Sequence, residues 1–253
     1  MPSATQVKSS RLSSPPVNLR NPSVFLDLDG VLAPLAPTPD AVVPTAERTR
    51  VLSELRVRLN ERVAVISGRT LNEIDRITDG SACAASGIHG LEWRRPDGSL
   101  LRATADPAIP LVIQALMDFA ADHPGVLVED KGLSAGLHYR QAPEAGAAAL
   151  GLARQLAAET GLELQPGSMV LELKTPGSNK GLALSRFMTE APFHDTLPIM
   201  VGDDLTDEYG FEAAQRLGGF GVLVGPERTT AAQYRLDDVP AVLSWLEQLG
   251  HGA

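Results

Sequence analysis

Two short apolar runs, residues 23–26 and 197–201, each stop at a cluster of carboxylates, and this pairing constrains the fold more than any other feature of the chain. The first continues as Asp27-Leu28-Asp29-Gly30-Val31, the second as Gly202-Asp203-Asp204-Leu205-Thr206-Asp207-Glu208. Uninterrupted apolar runs of this length read as strands buried on both faces, the mark of a parallel sheet covered by helices. In such a sheet ligands bind outside the carboxyl ends of the strands. Carboxylates gathered there need either protons or a hard cation. The economical expectation is Mg²⁺ together with a phosphorylated substrate.

The first run extends to a strand over 23–28, and three others, 63–66, 82–87 and 220–224, read as further parallel strands. Helical periodicity falls at 44–60, 71–78, 179–189, 207–217 and 239–249. Thr70 followed by Glu73 predicts a capping box at the start of the second helix. Strand and helix alternate, so the expected fold class is α/β with a doubly wound parallel-sheet core. The alternation breaks between about 96 and 175. There the order is a helix (107–122), strands at 126–131 and 136–140, a helix (144–160) and a hairpin (162–165, 169–174). Connections this short cannot be right-handed parallel crossovers, so the segment is expected to be an inserted antiparallel α+β unit. The predicted organisation is a core from 22–95 and 176–253 with a cap over 96–175.

Composition narrows the function classes. The chain has 253 residues, 43% of them apolar, which is ample for a sizeable core. A net charge of −9 argues against nucleic acid and anionic membrane surfaces, but not against a phosphorylated ligand met by a local cation. The single cysteine, Cys83, excludes a disulfide framework and reads as a buried small hydrophobe within an Ala-rich run. No apolar stretch is long enough to span a bilayer. Residues 1–21, rich in Ser and Pro and without acid, read as a disordered tail or, as the lesser alternative, an organellar presequence. A cytoplasmic protein is expected, with a monomer the default.

Several side chains could carry phosphoryl chemistry. A carboxylate at the end of the first strand, Asp27, can attack phosphorus, and Asp29 can supply and recover a proton. The same pair could also be turn aspartates, since Asp-Gly favours turns. Asp203 or Asp204 could complete a metal site. Asp207 and Glu208 suit a helix start, or could orient water or a cationic side chain. Ser67 ends a strand before Gly68-Arg69 and could hold a phosphoryl oxygen. Lys180 falls in the first turn of a helix expected to be capped by Ser178. A cation there opposes the macrodipole, which implies that it faces carboxylates or phosphate. In the inserted unit, polar residues fall two apart: Glu129 with Lys131, His138 with Arg140, Glu172 with Lys174. Their sheet face would be charged while Val128, Leu137, Leu171 and Leu173 face the other way. That suits either an ordinary wetted face or a lid over a ligand rich in hydroxyls.

Asp-x-Asp-Gly-Val, Ser-Gly-Arg, Lys-Gly opening a helix, and Gly-Asp-Asp-x-x-Asp, in that order, resemble the haloacid dehalogenase (HAD) superfamily of phosphotransferases. Narrower segments resemble the trehalose-6-phosphate phosphatases: Gly87-Ile88-His89-Gly90-Leu91-Glu92, Glu129-Asp130-Lys131-Gly132, His138-Tyr139-Arg140, Glu172-Leu173-Lys174-Pro176-Gly177-Lys180-Gly181 and Gly202-Asp203-Asp204-Leu205-Thr206-Asp207-Glu208. The resemblance runs from about 23 to 224. It implies Asp27 as nucleophile, Asp29 as general acid/base, and Ser67 and Lys180 as phosphate ligands. It further implies Mg²⁺ on Asp27, the Asp29 carbonyl and Asp203, with Asp204 or Asp207 close by. Arg69, His89, Glu129, Lys131, His138, Arg140, Glu172 and Lys174 are the implied substrate-binding residues. The implied activity is hydrolysis of trehalose 6-phosphate, a small-molecule sugar phosphate, as the last step of trehalose biosynthesis. A phosphatase for sucrose 6-phosphate or a mannosyl compound, and a non-catalytic sugar-phosphate sensor, are the alternatives. Val31 stands where many relatives have Thr.

Overall fold

The computed structural model describes residues 12–250. In chain order the elements are β1 (Pro22–Leu26), α1 (Ala46–Arg58), β2 (Val63–Ile66), α2 (Leu71–Thr78), β3 (Ala84–Gly87), β4 (Glu92–Arg94) and β5 (Leu100–Arg102). Then follow α3 (Ile109–Ala121), β6 (Leu127–Asp130), β7 (Ser134–His138), α4 (Gly146–Thr160), β8 (Glu163–Gly167) and β9 (Val170–Lys174). The chain closes with α5 (Lys180–Phe187), β10 (Leu197–Gly202), α6 (Glu208–Arg216), β11 (Phe220–Val224), β12 (Tyr234–Leu236) and α7 (Val239–Gln248). An eight-stranded sheet runs β12-β11-β10-β1-β2-β3-β4-β5, and a four-stranded sheet runs β6-β7-β9-β8.

Strands β12 to β3 are parallel, and alternation along them feeds two cores. Val24, Leu26, Val63, Val65 and Val201 pack on one face with Leu52 and Leu55 of α1, Ile74 and Ile77 of α2 and Leu246 of α7. Phe25, Ala64, Ile66 and Met200 face the other way, against Leu184 and Phe187 of α5 and Phe211 of α6. Successive residues of a strand point to opposite faces, so a strand buried on both must be apolar throughout. This is the doubly wound α/β core expected from the sequence. The smaller sheet is antiparallel and covered on one face by α3 and α4, through Val112, Leu116, Ala149 and Leu156 against Leu137, Leu171 and Leu173.

Three details differ from the sequence reading. Strands β4 and β5 form a hairpin that pairs antiparallel onto β3, so 100–102 joins the large sheet, although the pattern placed it in the inserted unit. Three-residue strands carry too little alternation to be read, and β12 escaped notice for the same reason. Residues 12–21 are packed, not a disordered tail. Ser13 bridges to Tyr234 on the edge strand, Trp245 Nε1 donates to the Pro16 carbonyl at 3.1 Å, and Val17 and Leu19 lie against the core. An edge strand offers unpaired backbone groups, and this segment covers them. Residues 1–11 lie outside the described residues. Finally, the N-cap of α5 is Asn179, whose side chain accepts from Leu182 N at 2.9 Å, not Ser178. The Thr70–Glu73 capping box is present.

Candidate active site

Strands β1 and β10 are neighbours at the point where the strand order reverses. Their register sets Leu26 opposite Val201, and the Asp27 amide donates to the Val201 carbonyl at 3.0 Å. Each strand therefore delivers its acid cluster to the same end of the sheet, where the chain diverges and leaves a crevice. Gly30, at φ +76°, turns the chain away after Asp29, and a Cβ there would stand 2.1 Å from Asp203 Oδ2. Only glycine allows both the conformation and the approach.

Lys180 joins the two clusters. Its Nζ lies 2.7 Å from Asp27 Oδ2 and 2.7 Å from Asp207 Oδ1, with all three side chains buried. Burial pushes the Lys180 ammonium down, but the charges of Asp207 and Asp27 outweigh it and hold its pKa well above the ordinary lysine value. Burial raises Asp27 well above the usual carboxylate range, with Lys180 pulling against it. Asp203 is pushed up to about 7, first by burial and then by the neighbouring Asp207.

Asp27, Asp203 and Asp207 each place a carboxylate oxygen within 4.8 Å of the others. Three carboxylates share one ammonium, and that imbalance, visible in the raised Asp27 and Asp203, fits a hard cation with oxygen ligands. Asp207 is the most occupied of the three. Its Oδ1 meets Lys180, and its Oδ2 accepts the amides of Asp203 and Asp204 at 3.0 Å each. Asp27 is engaged less, at Oδ1 by the Leu28 amide at 2.7 Å and at Oδ2 by Lys180, and Asp203 is the freest donor of the three. The structure does not bring the Asp204 carboxylate into the cluster, because Asp204 caps the following helical turn and accepts from Leu205 N at 2.6 Å. Nor is the Asp29 carboxylate part of it. Arg69 grips that group with Nε at 2.8 Å and Nη2 at 2.9 Å, and holds Glu73 and the Pro39 carbonyl with Nη1. Arg69 therefore lines the cleft as a partner of Asp29.

Ser67, buried at the end of β2, lines the same cleft with Asp27, Asp29, Asp203 and Lys180. Above them the four-stranded sheet presents Glu129, Lys131, His138, Arg140 and Glu172. Glu129 Oε2 meets His138 Nε2 at 2.8 Å. Lys131 Nζ donates to Glu172 Oε2 at 3.0 Å and crosses to the Gly68 carbonyl at 3.1 Å. Burial pushes Glu172 up, yet Lys131, His89 and the Ser134 hydroxyl hold it well below the carboxylate range. His89 sits under this sheet in the left-handed region, φ 53°, with Nε2 3.6 Å from Glu172 Oε2, and burial lowers its pKa. Arg140 anchors the β8–β9 turn through the Ser168 carbonyl at 2.8 Å. Lys174 does not line the cleft. It is fully buried, with Nζ 2.7 Å from Glu163 and donating to the Ser178 carbonyl. The period-two pattern puts Lys174 on the Glu172 face, but cannot show that β8 and the 175–179 loop cover that end of the strand.

Sequence reasoning passed over the loop 35–39, which forms a cleft wall, and Arg228, which reaches the Asp203–Asp204 turn from behind. Neither carries a local signal. A Pro-rich loop and a lone arginine acquire meaning only from the fold.

A family model for trehalose-phosphatases matches residues 25–240. The trehalose-6-phosphate phosphatase of Escherichia coli strain K12 is 40% identical over 227 residues, covering 89% of this chain and 85% of that protein. A probable trehalose-phosphate phosphatase of Sinorhizobium fredii is 35% identical over 226 residues, covering 85% and 82%. Among solved structures, the C-terminal domain of C. albicans trehalose-6-phosphate phosphatase superposes with a TM-score of 0.80 at 19% identity, covering 94% of this chain and 98% of that one, a likeness of fold. With the match spanning both acid clusters and the sheet above them, the chain belongs to the trehalose-phosphatase family of phosphoric monoester hydrolases.

Proposed function

We propose that this chain is a Mg²⁺-dependent phosphatase that converts trehalose 6-phosphate and water to trehalose and phosphate through an aspartyl-phosphate intermediate. The observation that carries the reading is the β1–β10 register, which sets Asp27 beside Lys180 and Asp203 under a charged sheet. In this reading Asp27 attacks phosphorus in line with the sugar oxygen, and Asp29 gives that oxygen a proton. Asp29 then takes a proton from the water that hydrolyses the aspartyl phosphate. Ser67 and Lys180 hold phosphoryl oxygens. Mg²⁺, held by Asp27, Asp203 and the Asp29 carbonyl, would supply neutralisation of the charge that builds on the phosphoryl group. Residues following β5 up to α5 act as a cap in which Glu129, Lys131, His138, Arg140 and Glu172 meet sugar hydroxyls. The pairing of Arg69 with Asp29 makes Arg69 an orienting residue for the acid/base. Names of the relatives support the substrate, since the E. coli protein is a trehalose-6-phosphate phosphatase.

The test is phosphate release with Mg²⁺ from trehalose 6-phosphate, sucrose 6-phosphate and glucose 6-phosphate side by side. The expected preference for the trehalose ester is at least about tenfold in kcat/KM, the scale at which a few hydroxyl contacts discriminate. Equal rates on all three would remove the role given to the cap residues.

A further inference from the structure

Arg228 stands in the loop between β11 and β12 and reaches back beneath the turn that carries Asp203 and Asp204. Its Nη2 donates to the Asp204 carbonyl at 2.9 Å and to the Asp203 carbonyl at 3.4 Å. Its Nη1 pairs with Glu208 and donates to the Thr229 carbonyl at 3.2 Å. Glu208, the first residue of α6, is itself tied to that loop, accepting from Thr230 Oγ1 at 2.8 Å and from the Ala231 amide at 2.7 Å. The opposite side of the turn belongs to Asp207, which accepts both amides. The peptide joining Asp203 to Asp204 is therefore held at both ends, its N–H by a buried carboxylate and its C=O by a guanidinium.

We propose that Arg228, oriented by Glu208, is a positioning residue for the divalent-cation site. It stands outside the cleft lining and bonds the backbone of Asp203 and Asp204. It fixes the backbone from which the Asp203 carboxylate projects, so that Asp203 lies across Gly30 and faces Asp27. A planar cation with several donors can serve two carbonyls and a carboxylate together, and a lysine ammonium cannot match that geometry. Groups that orient metal ligands from behind typically change metal affinity about 10–100-fold when removed. The alternative is that Arg228 merely fastens residues 228–231 to α6, in which case its loss would lower stability and leave cation affinity intact.

The inference rests on reading Asp27 and Asp203 as cation ligands, and the experiment separates the two claims. Calorimetric titration with MgCl₂ alone, on the full chain, compares wild type with Arg228→Gln and Arg228→Lys. Melting in EDTA reports whether each variant is folded. A second readout is the Mg²⁺ concentration that half-activates hydrolysis of p-nitrophenyl phosphate. Arg228→Gln is expected to weaken Mg²⁺ binding about tenfold or more, with the rate largely recovered at saturating Mg²⁺. Arg228→Lys, which keeps the charge, is expected to fold even if the glutamine variant does not, and to show a smaller shift in the same direction. Unchanged Mg²⁺ affinity in the folded variants, with or without a lower melting temperature, overturns the positioning role. Failure of wild type to bind Mg²⁺ overturns the cation site itself, and the inference with it.

Discussion

Asp203 sits where burial and Asp207 have pushed its pKa up to about 7, far above the ordinary value of 3.8. A carboxylate raised in the folded state binds its proton more tightly there than in the unfolded chain. Its contribution to the stability of the metal-free protein is therefore full below about pH 4 and is lost as pH rises through 7. A cation must displace that proton to bind. Mg²⁺ affinity is accordingly predicted to fall as pH drops below 7, with protons released on binding at pH 6 from Asp203 and from Asp27, whose pKa is also raised, and less release from Asp203 at pH 8. Calorimetry in two buffers of different ionisation enthalpy reads the proton count directly. No proton release at pH 6 would mean that Asp203 is already ionised and that its environment has been misread. The same side chain makes Gly30→Ala informative. Its Cβ would meet Asp203 Oδ2 at 2.1 Å, at a φ of +76° that disfavours alanine. The expected cost is about 1–3 kcal/mol of stability together with loss of Mg²⁺ affinity, read by melting and titration.

At the scale of elements, the four-stranded sheet meets the core through Lys131 on the Gly68 carbonyl, His89 beneath Glu172, and the buried Leu133 packed on Ile88 and Leu91. Within the sheet, Lys131 donates to Glu172 and His138 meets Glu129, so these groups, proposed to hold sugar hydroxyls, satisfy one another. Lys131→Met should cost about 10–100-fold in kcat/KM on the disaccharide ester and less than about threefold on a small aryl phosphate, because only the former needs the charged hydrogen bond. Equal losses on both would show that Lys131 serves the core and not the sugar. The elements that carry this site were legible wherever pattern was long. Helix α2 is found at its expected residues, 71–78, because its capping box marks the start, and the strands that end at Asp27 and Asp203 are unbroken apolar runs. The hairpin β4–β5 and strand β12 were not, since three residues hold no period. Within the site, Asp27, Ser67, Lys180 and Asp203 could be read from motif and strand ends. The partners of Arg69, Lys174 and Arg228 could not. Each depends on which loop folds over the side chain, and Lys174 met Glu163 and Ser178 where the pattern offered it to a ligand.

At the scale of the molecule, the segment 12–21 binds the first strand region to the last helix. It does so through Ser13 on β12, the Pro16 carbonyl on Trp245, and the Val17 carbonyl on Gly250 at 3.3 Å. Removal of residues 1–21 should cost about 3 kcal/mol from lost hydrogen bonds and the re-exposed Val17 and Leu19 contacts. For a chain of this size that is roughly 6–12 °C in Tm, with the active site otherwise unaltered. An unchanged Tm would show the segment to be an ornament on the core. In the proposed mechanism one carboxylate is held against phosphorus while a cation and a lysine share its charge. The measurement that tests this most directly is phosphate release from trehalose 6-phosphate with Mg²⁺ by wild type and by Asp27→Asn, with substrate binding to the variant measured in parallel. The proposed mechanism predicts turnover by wild type and a fall of about three orders of magnitude or more in the variant, with binding kept within a few-fold. Substantial turnover by Asp27→Asn, or a wild type that binds the ester and never releases phosphate, would contradict it.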